Sequence, residues 1–117
     1  MRTMSDCLFC KIGGGEIPAR KVRDEAELYA IEDIQPEAPT HLLVIPKKHI
    51  PTLNDLGPGD DLVVARMFRV AAELAKERGI AEPGWRAVVN VNRLGNQAVM
   101  HVHLHVLGGR QMRWPPG

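Results

Sequence analysis

The chain has 117 residues, of which 44% are hydrophobic and 25% charged, shares that exclude a disordered chain. Fifteen Lys and Arg against fourteen Asp and Glu leave a formal charge of +1, without the basic excess that a nucleic-acid surface needs. Purely apolar stretches reach four residues, as in Leu62-Val63-Val64-Ala65, far short of the ~20 that span a bilayer. In the opening MRTMSDCLFC, Asp6 and Cys10 interrupt any signal-peptide core. The expectation is one intracellular, cytoplasmic domain over residues 1–117, with no membrane segment and no nucleic-acid partner.

The elements follow in chain order. Residues 7–13 (CLFCKIG) predict one or two helical turns, with Asp6 as N-cap and Gly13 to Gly15 as the stop. Val22–Asp24 and Leu28–Ile31 read as short strands around a charged turn, and Pro36 and Pro39 mark a loop. His41–Ile45 is a clear strand ended by Pro46, and its almost unbroken apolar run implies burial on both faces. Gly57-Pro58-Gly59-Asp60 turns into a helix. Its Val63, Met67, Val70, Ala71 and Leu74 form one apolar stripe, and Gly79 caps its end. Trp85–Val91 reads as a strand, Asn92–Asn96 as a loop, and Val99–Leu107 as a further strand closed by Gly108-Gly109. Strands outnumber helices and neighbouring strands can pair as hairpins, so the class is α+β with an antiparallel sheet.

The last strand carries the chemistry. His101, His103 and His105 alternate, so in a strand they share one face, while Val102, Leu104 and Val106 take the core face. Successive residues rise ~3.3 Å, which separates His101 from His105 by ~13 Å, too far for one metal ion with ~2 Å bonds to hold all three. The three therefore divide between roles, with one end of the row free for a second site. Imidazole is mostly neutral at pH 7 and can attack phosphorus or move protons. The one serine is Ser5, at the start of the chain, so the nucleophile falls to a histidine and a phosphoryl or nucleotidyl group is its natural target. Gly95-Asn96-Gln97 offers backbone N–H and amide donors to an anion. Three histidines on a hydrated surface are the bland alternative, which the spacing H-x-H-x-H before Gly-Gly argues against.

Cys7-x-x-Cys10 admits three readings. A thioredoxin-like redox pair needs a preceding strand, for which six residues leave no room. A pair of small buried residues and a Cys₂His₂ zinc site both remain, with His41, His49 and His101 as the available imidazoles. His41 otherwise reads as buried and hydrogen-bonded, and Lys47-Lys48 as a solvated pair.

The motif His101-Val102-His103-Leu104-His105-Val106-Leu107 resembles that of the histidine-triad superfamily. The likeness runs along most of the chain: Phe9-Cys10-Lys11-Ile12, Glu16-Ile17-Pro18-Ala19, Ala38-Pro39-Thr40-His41, Val44–Ile50, and Gly108-Gly109-Arg110-Gln111-Met112 to Trp114-Pro115-Pro116-Gly117. Within the superfamily it is most similar to the histidine-triad nucleotide-binding branch. That resemblance implies a five-stranded antiparallel sheet with one long and one short helix, and a homodimer with a continuous ten-stranded sheet. It implies hydrolysis of purine nucleoside phosphoramidates such as adenosine 5′-monophosphoramidate, through a nucleotidyl-histidine on His103. His105 would bind phosphate beside it and His101 would complete the triad. Asp33 would take the ribose hydroxyls. Asn90, Asn96, Gln97 and Ala98 would lie on the phosphate side, and Phe9, Ile17, Ile31 and Ile34 would form the base cleft. Trp114 would shape the substrate region across the dimer. Microbial relatives with the cysteine pair imply structural Zn²⁺ held by Cys7, Cys10, His49 and His101.

Three positions depart from the branch. Ala98 stands where Ser or Thr is usual, Asn96 where Gly is usual, and Ile31 where an aromatic is common. Loss of the phosphate-contacting hydroxyl would lower catalysis by ~10–100-fold, on the ~1.5–3 kcal/mol of a hydrogen bond to a charged group. Asn96 tolerates positive φ and adds an amide. A nucleotide-binding or sensing module with weak turnover is thus the second reading, and a dinucleoside polyphosphate hydrolase a third.

Overall fold

The computed structural model describes residues 6–117. Its main elements are α1 (Leu8–Gly13), β1 (Lys21–Asp24), β2 (Leu28–Glu32), β3 (Thr40–Pro46), α2 (Asp61–Glu77), β4 (Trp85–Val88) and β5 (Leu104–Gly108), with two single-turn 3₁₀ segments ahead of α2. The strands form one antiparallel sheet in the order β1-β2-β3-β5-β4. The expected α+β class, with one long and one short helix, is what the chain adopts.

Burial divides the sheet into two faces. Leu28, Ala30, Leu42, Val44, Leu104 and Val106 pack under α2, against Met67, Val70, Ala71, Leu74 and Ala75. Tyr29, Ile31, Leu43 and Ile45 point the other way, onto Cys7, Phe9 and Ile12 of the α1 segment. β3 is therefore covered on both sides, which explains its apolar run. The long helix ends in a Schellman arrangement. Gly79 sits at φ +71°, its N–H donates to the Lys76 carbonyl (3.1 Å), and the Ile80 N–H donates to that of Ala75 (3.0 Å). Ile80 then lies directly over the end of β5. A Cβ on Gly108 would come within 2.6 Å of Ile80 Cδ1 and 3.0 Å of its Cβ and Cγ2, so any side chain there would force Ile80 to shift.

Several boundaries differ from the sequence reading, and four of the differences have a physical reason. The N-cap of α1 is Cys7 rather than Asp6, its Sγ accepting from the Cys10 N–H (3.5 Å). β3 includes Pro46, which pairs with Leu28 at the open end of the ladder. β4 stops at Val88, because pairing with β5 runs out there, and Val89, Asn90 and Val91 continue as irregular chain. β5 begins at Leu104, not Val99. Ahead of it, the His101 N–H closes a tight turn onto the Val99 carbonyl (2.9 Å) and the Val102 N–H donates to the Ile50 carbonyl (2.8 Å). That segment bonds to the chain beyond β3 and so leaves the ladder. The alternation of faces survives nonetheless: Val102 joins the α2 core, and Val99 packs with Phe9 on the opposite side.

Candidate active site

Register builds the floor of the site. Ile31 of β2 pairs with Leu43 of β3, Leu43 pairs with His105 of β5, and His105 pairs with Val88 of β4. Side chains directly opposite one another share a face, so this row crosses the sheet on the α1 side. With the α1 segment on one flank and residues 90–99 on another, it opens into a cleft of about 910 Å³, within the usual range for small-molecule sites.

The cleft gathers most of the predicted residues. Phe9, Ile17, Ile31 and Ile34 belong to its apolar lining, with Ile34 almost fully exposed. Asp33, just past β2, and Asn90, Asn96 and Ala98 stand at its margins, and His103 and His105 lie at its base. Asn96 adopts φ +60°, the left-handed conformation for which Asn is suited. Gln97 falls outside the cleft. Its amide donates to the Pro51 carbonyl (2.7 Å) and the Val99 carbonyl (3.0 Å), and its Oε1 accepts from the Asn92 N–H (2.9 Å). The Asn96 and Gln97 backbone N–H groups are also used, on the Arg93 and Asn92 carbonyls (both 3.0 Å). The Gln97 amide and the Asn96 and Gln97 N–H groups are thus consumed in shaping the loop, while Asn96 itself lines the cleft. Leu43 and His41 line the cleft without having been singled out as site residues, although strand alternation from Ile45 and His105 pairing would have pointed to both. Ser5 lies outside the described residues.

Hydrogen bonds to main-chain carbonyls assign His103 and His101 a tautomer. A carbonyl only accepts, so the 2.8 Å contact of His103 Nδ1 with the His101 carbonyl puts the proton on Nδ1 and leaves the Nε2 lone pair free. The His103 ring is 5% exposed and stands edge-on to Phe9, with centroids 5.1 Å apart, and 5.0 Å from the His105 ring. His105 Nε2 is fully buried and is the orphaned buried side-chain polar atom among the described residues. His101 is apart from the cleft. Its Nε2–H donates to the Pro46 carbonyl (2.7 Å), so its Nδ1 lone pair faces Cys7 Sγ at 3.3 Å and Cys10 Sγ at 3.5 Å. Cys10 Sγ also lies 3.3 Å from His49 Nδ1, and all four donor atoms fall within 4.8 Å of one another.

This donor set suits a tetrahedral, thiophilic cation: two sulfurs, two imidazole nitrogens, and a backbone carbonyl orienting one ring from behind. Burial, then the neighbouring Cys7 thiol, pushes the Cys10 thiol up to about 11 when no cation balances it. A coordinated cation reverses that preference and holds the thiolates. The division of the triad expected from strand spacing is present: His101 serves the cysteine cluster, and His103 and His105 face the cleft.

Burial holds His105 down at about 4 and lowers His103 from the ordinary imidazole value. Both rings are neutral near pH 7, as a nucleophile and a hydrogen-bonding pair require. The folded value of His105 lies below the unfolded ~6.5, so its contribution to stability is complete above ~6.5 and is lost as pH falls toward about 4. Thermal melts across that window are expected to fall less steeply for His105→Gln than for the unsubstituted protein. Parallel curves would contradict the assignment.

The HIT domain profile matches residues 14–112. The chain belongs to the HIT, or histidine-triad, family. A curated HIT relative, the purine nucleoside phosphoramidase of Escherichia coli (strain K12), is 45% identical over 107 residues, covering 92% of this chain and 90% of that protein. The HIT family hydrolase of Legionella pneumophila Philadelphia 1 superposes with a TM-score of 0.93 at 55% identity, covering 95% of this chain and 99% of that one. A zinc-bound histidine triad family protein of Mycobacterium smegmatis superposes with a TM-score of 0.78 at 32% identity, over 93% and 78% of the two chains.

Proposed function

We propose that this HIT protein is a purine nucleoside phosphoramidase that works through a nucleotidyl adduct on His103. The observation carrying the reading is the pair at the base of the cleft: a His103 Nε2 lone pair beside the unpartnered His105 Nε2. The apolar lining takes the base, and Asp33 accepts from the ribose diol. His103 Nε2 attacks phosphorus, the P–N bond breaks, and the amine leaves with a proton drawn from water. Water then attacks phosphorus and gives up a proton to solvent, which restores the one taken in the first step, the P–Nε2 bond breaks, and AMP and a free His103 result. Between the steps the imidazole carries the nucleotide, so one displacement becomes two. The 45% identity to the Escherichia coli enzyme supports this substrate class.

Three finer proposals accompany it. Cys7, Cys10, His49 and His101 hold a structural Zn²⁺, supported by the fit of their donor atoms. The protein is a cytoplasmic homodimer, joined through β4, which lies at the edge of the sheet with the tail tied beside it by Arg86 Nη2 donating to the Arg113 carbonyl (2.8 Å). Trp114, 82% exposed in that tail, is then placed to meet the partner.

A second reading, a nucleotide-binding module with weak turnover, is favoured by Ala98, whose exposed methyl at the cleft margin offers phosphate no hydrogen bond. The test is steady-state hydrolysis of a fluorogenic adenosine phosphoramidate, alongside AMP binding by calorimetry. Turnover supports the enzyme. AMP binding without turnover selects the second reading, and absence of both overturns both. Within the enzyme reading, Ala98→Ser is expected to raise kcat/KM by ~10-fold, the low end of one hydrogen bond to a charged group. An unchanged or lowered value would show that the cleft has adapted to the missing hydroxyl.

A further inference from the structure

His41 has no part in the steps above, yet it is buried at the side of the cleft and bonded at both ring nitrogens. The Glu37 backbone N–H donates to His41 Nδ1 at 3.0 Å. A backbone amide only donates, so Nδ1 carries no proton and the neutral ring must carry it on Nε2. His41 Nε2 lies 2.8 Å from His105 Nδ1 and 3.4 Å from Asp33 Oδ2. The shorter contact takes the proton, which makes His105 Nδ1 an acceptor. A neutral His105 then carries its own proton on Nε2, the atom that is buried without a partner at the base of the cleft.

Every link runs in one direction, because the first donor is main chain and cannot reverse. The same logic decides against a different use of these groups. Asp33, His41 and His105 bring three ligand atoms within 4.8 Å, but a metal needs the His41 Nε2 lone pair, and the Glu37 N–H keeps a proton there.

We propose that His41 is a positioning residue: the Glu37 N–H to His41 to His105 relay locks His105 in the Nε2–H tautomer and so presents a hydrogen-bond donor to the phosphoryl oxygen of the nucleotide. The inference rests on the nucleotide reading of the cleft. It adds that the donor's direction is set from the β2–β3 loop rather than by the triad itself. Burial of His105, which disfavours the doubly protonated ring, acts in the same sense.

The experiment uses the full-length, zinc-loaded protein with ¹⁵N-labelled histidine. Long-range ¹H–¹⁵N spectra report the tautomer of each ring, and AMP is the binding probe, so neither measurement needs turnover. His41 and His105 are both expected as single Nε2–H tautomers. A proton on Nδ1 of either neutral ring overturns the proposal, even if no variant is made. His41→Gln keeps one amide oxygen for the Glu37 N–H and one N–H for His105 Nδ1, whereas His41→Leu keeps neither. The Gln variant is expected to hold the AMP Kd within ~3-fold and His105 in one tautomer. The Leu variant is expected to weaken AMP by ~10-fold and to admit the Nδ1–H form of His105. Equal behaviour of the two variants overturns the proposal. If the protein binds AMP as described but hydrolyses no phosphoramidate, the function is wrong and the relay stands. If hydrolysis is present and the tautomers are mixed, the relay is wrong and the function stands.

Discussion

Replacing His103 with alanine is expected to lower turnover of an adenosine phosphoramidate by at least ~1000-fold while leaving the AMP Kd within ~5-fold. The asymmetry follows from where His103 sits. Its Nε2 lone pair is free at the base of the cleft, while its Nδ1–H is spent on the His101 carbonyl. On the proposed reading, nucleotide affinity would by contrast be spread over Asp33, His105 and the apolar lining supplied by Phe9, Ile17 and Ile31. Steady-state rates with the fluorogenic substrate measure the first quantity and calorimetry the second. An acid quench during turnover should also leave nucleotide on the peptide containing His103, and none in the variant. Residual turnover within ~10-fold of the unsubstituted protein would assign the nucleophile elsewhere. A comparable loss of AMP affinity would mean that the ring supports the cleft rather than reacting in it.

The second large effect is on stability. Cys7→Ser with Cys10→Ser is expected to lower Tm by at least ~10 °C, on a loss of ~3 kcal/mol or more in a domain of this size. Cys7 is fully buried and caps α1, and α1 brings Phe9 against both His101 and His103. Loss of the cluster therefore loosens the wall of the cleft as well as the N-terminal turn. Chelation of the unsubstituted protein should reproduce most of the shift and leave the double variant unmoved. Metal analysis of untagged protein should find about one zinc per chain. Less than ~0.2 zinc per chain, or a Tm within ~2 °C of the unsubstituted protein, would reduce the cysteines to ordinary core residues.

The two predictions meet at His101. Its side chain faces the cysteines while its main-chain carbonyl holds the proton of His103. The cysteine cluster and the His103 ring are thus joined through one residue.

Much of this was legible in the amino-acid order. Period-two alternation put Val102, Leu104 and Val106 in the core and the three histidines on the other side. That held even where the ladder does not extend, because burial constrains the facing of Val99 to His103 as strictly as pairing would. The strand rise separated His101 from His105, and the structure assigns them to different clusters. The 3.6-residue stripe of α2 is its buried face.

Other features depend on atoms far apart in sequence. Gln97 looks from its neighbours like an anion donor, but the Pro51 and Val99 carbonyls claim its amide. The Cys7 cap displaces Asp6, and β4 ends at Val88 where its partner strand leaves the ladder. Spacing alone could not choose among His41, His49 and His101 for the cysteines. The packing of α1 against the end of β3 and the turn before β5 does so, because it brings sulfur and nitrogen to within 3.3–3.5 Å. Tautomers are the extreme case. Which nitrogen of His103, His105 or His41 bears the proton depends on whether a carbonyl or an N–H faces it, and those groups come from residues 101 and 37. The residue types and their periodicity therefore determined the class of fold and the kind of chemistry. Only the tertiary structure decided the direction of each hydrogen bond, since that is a property of pairs that meet on folding.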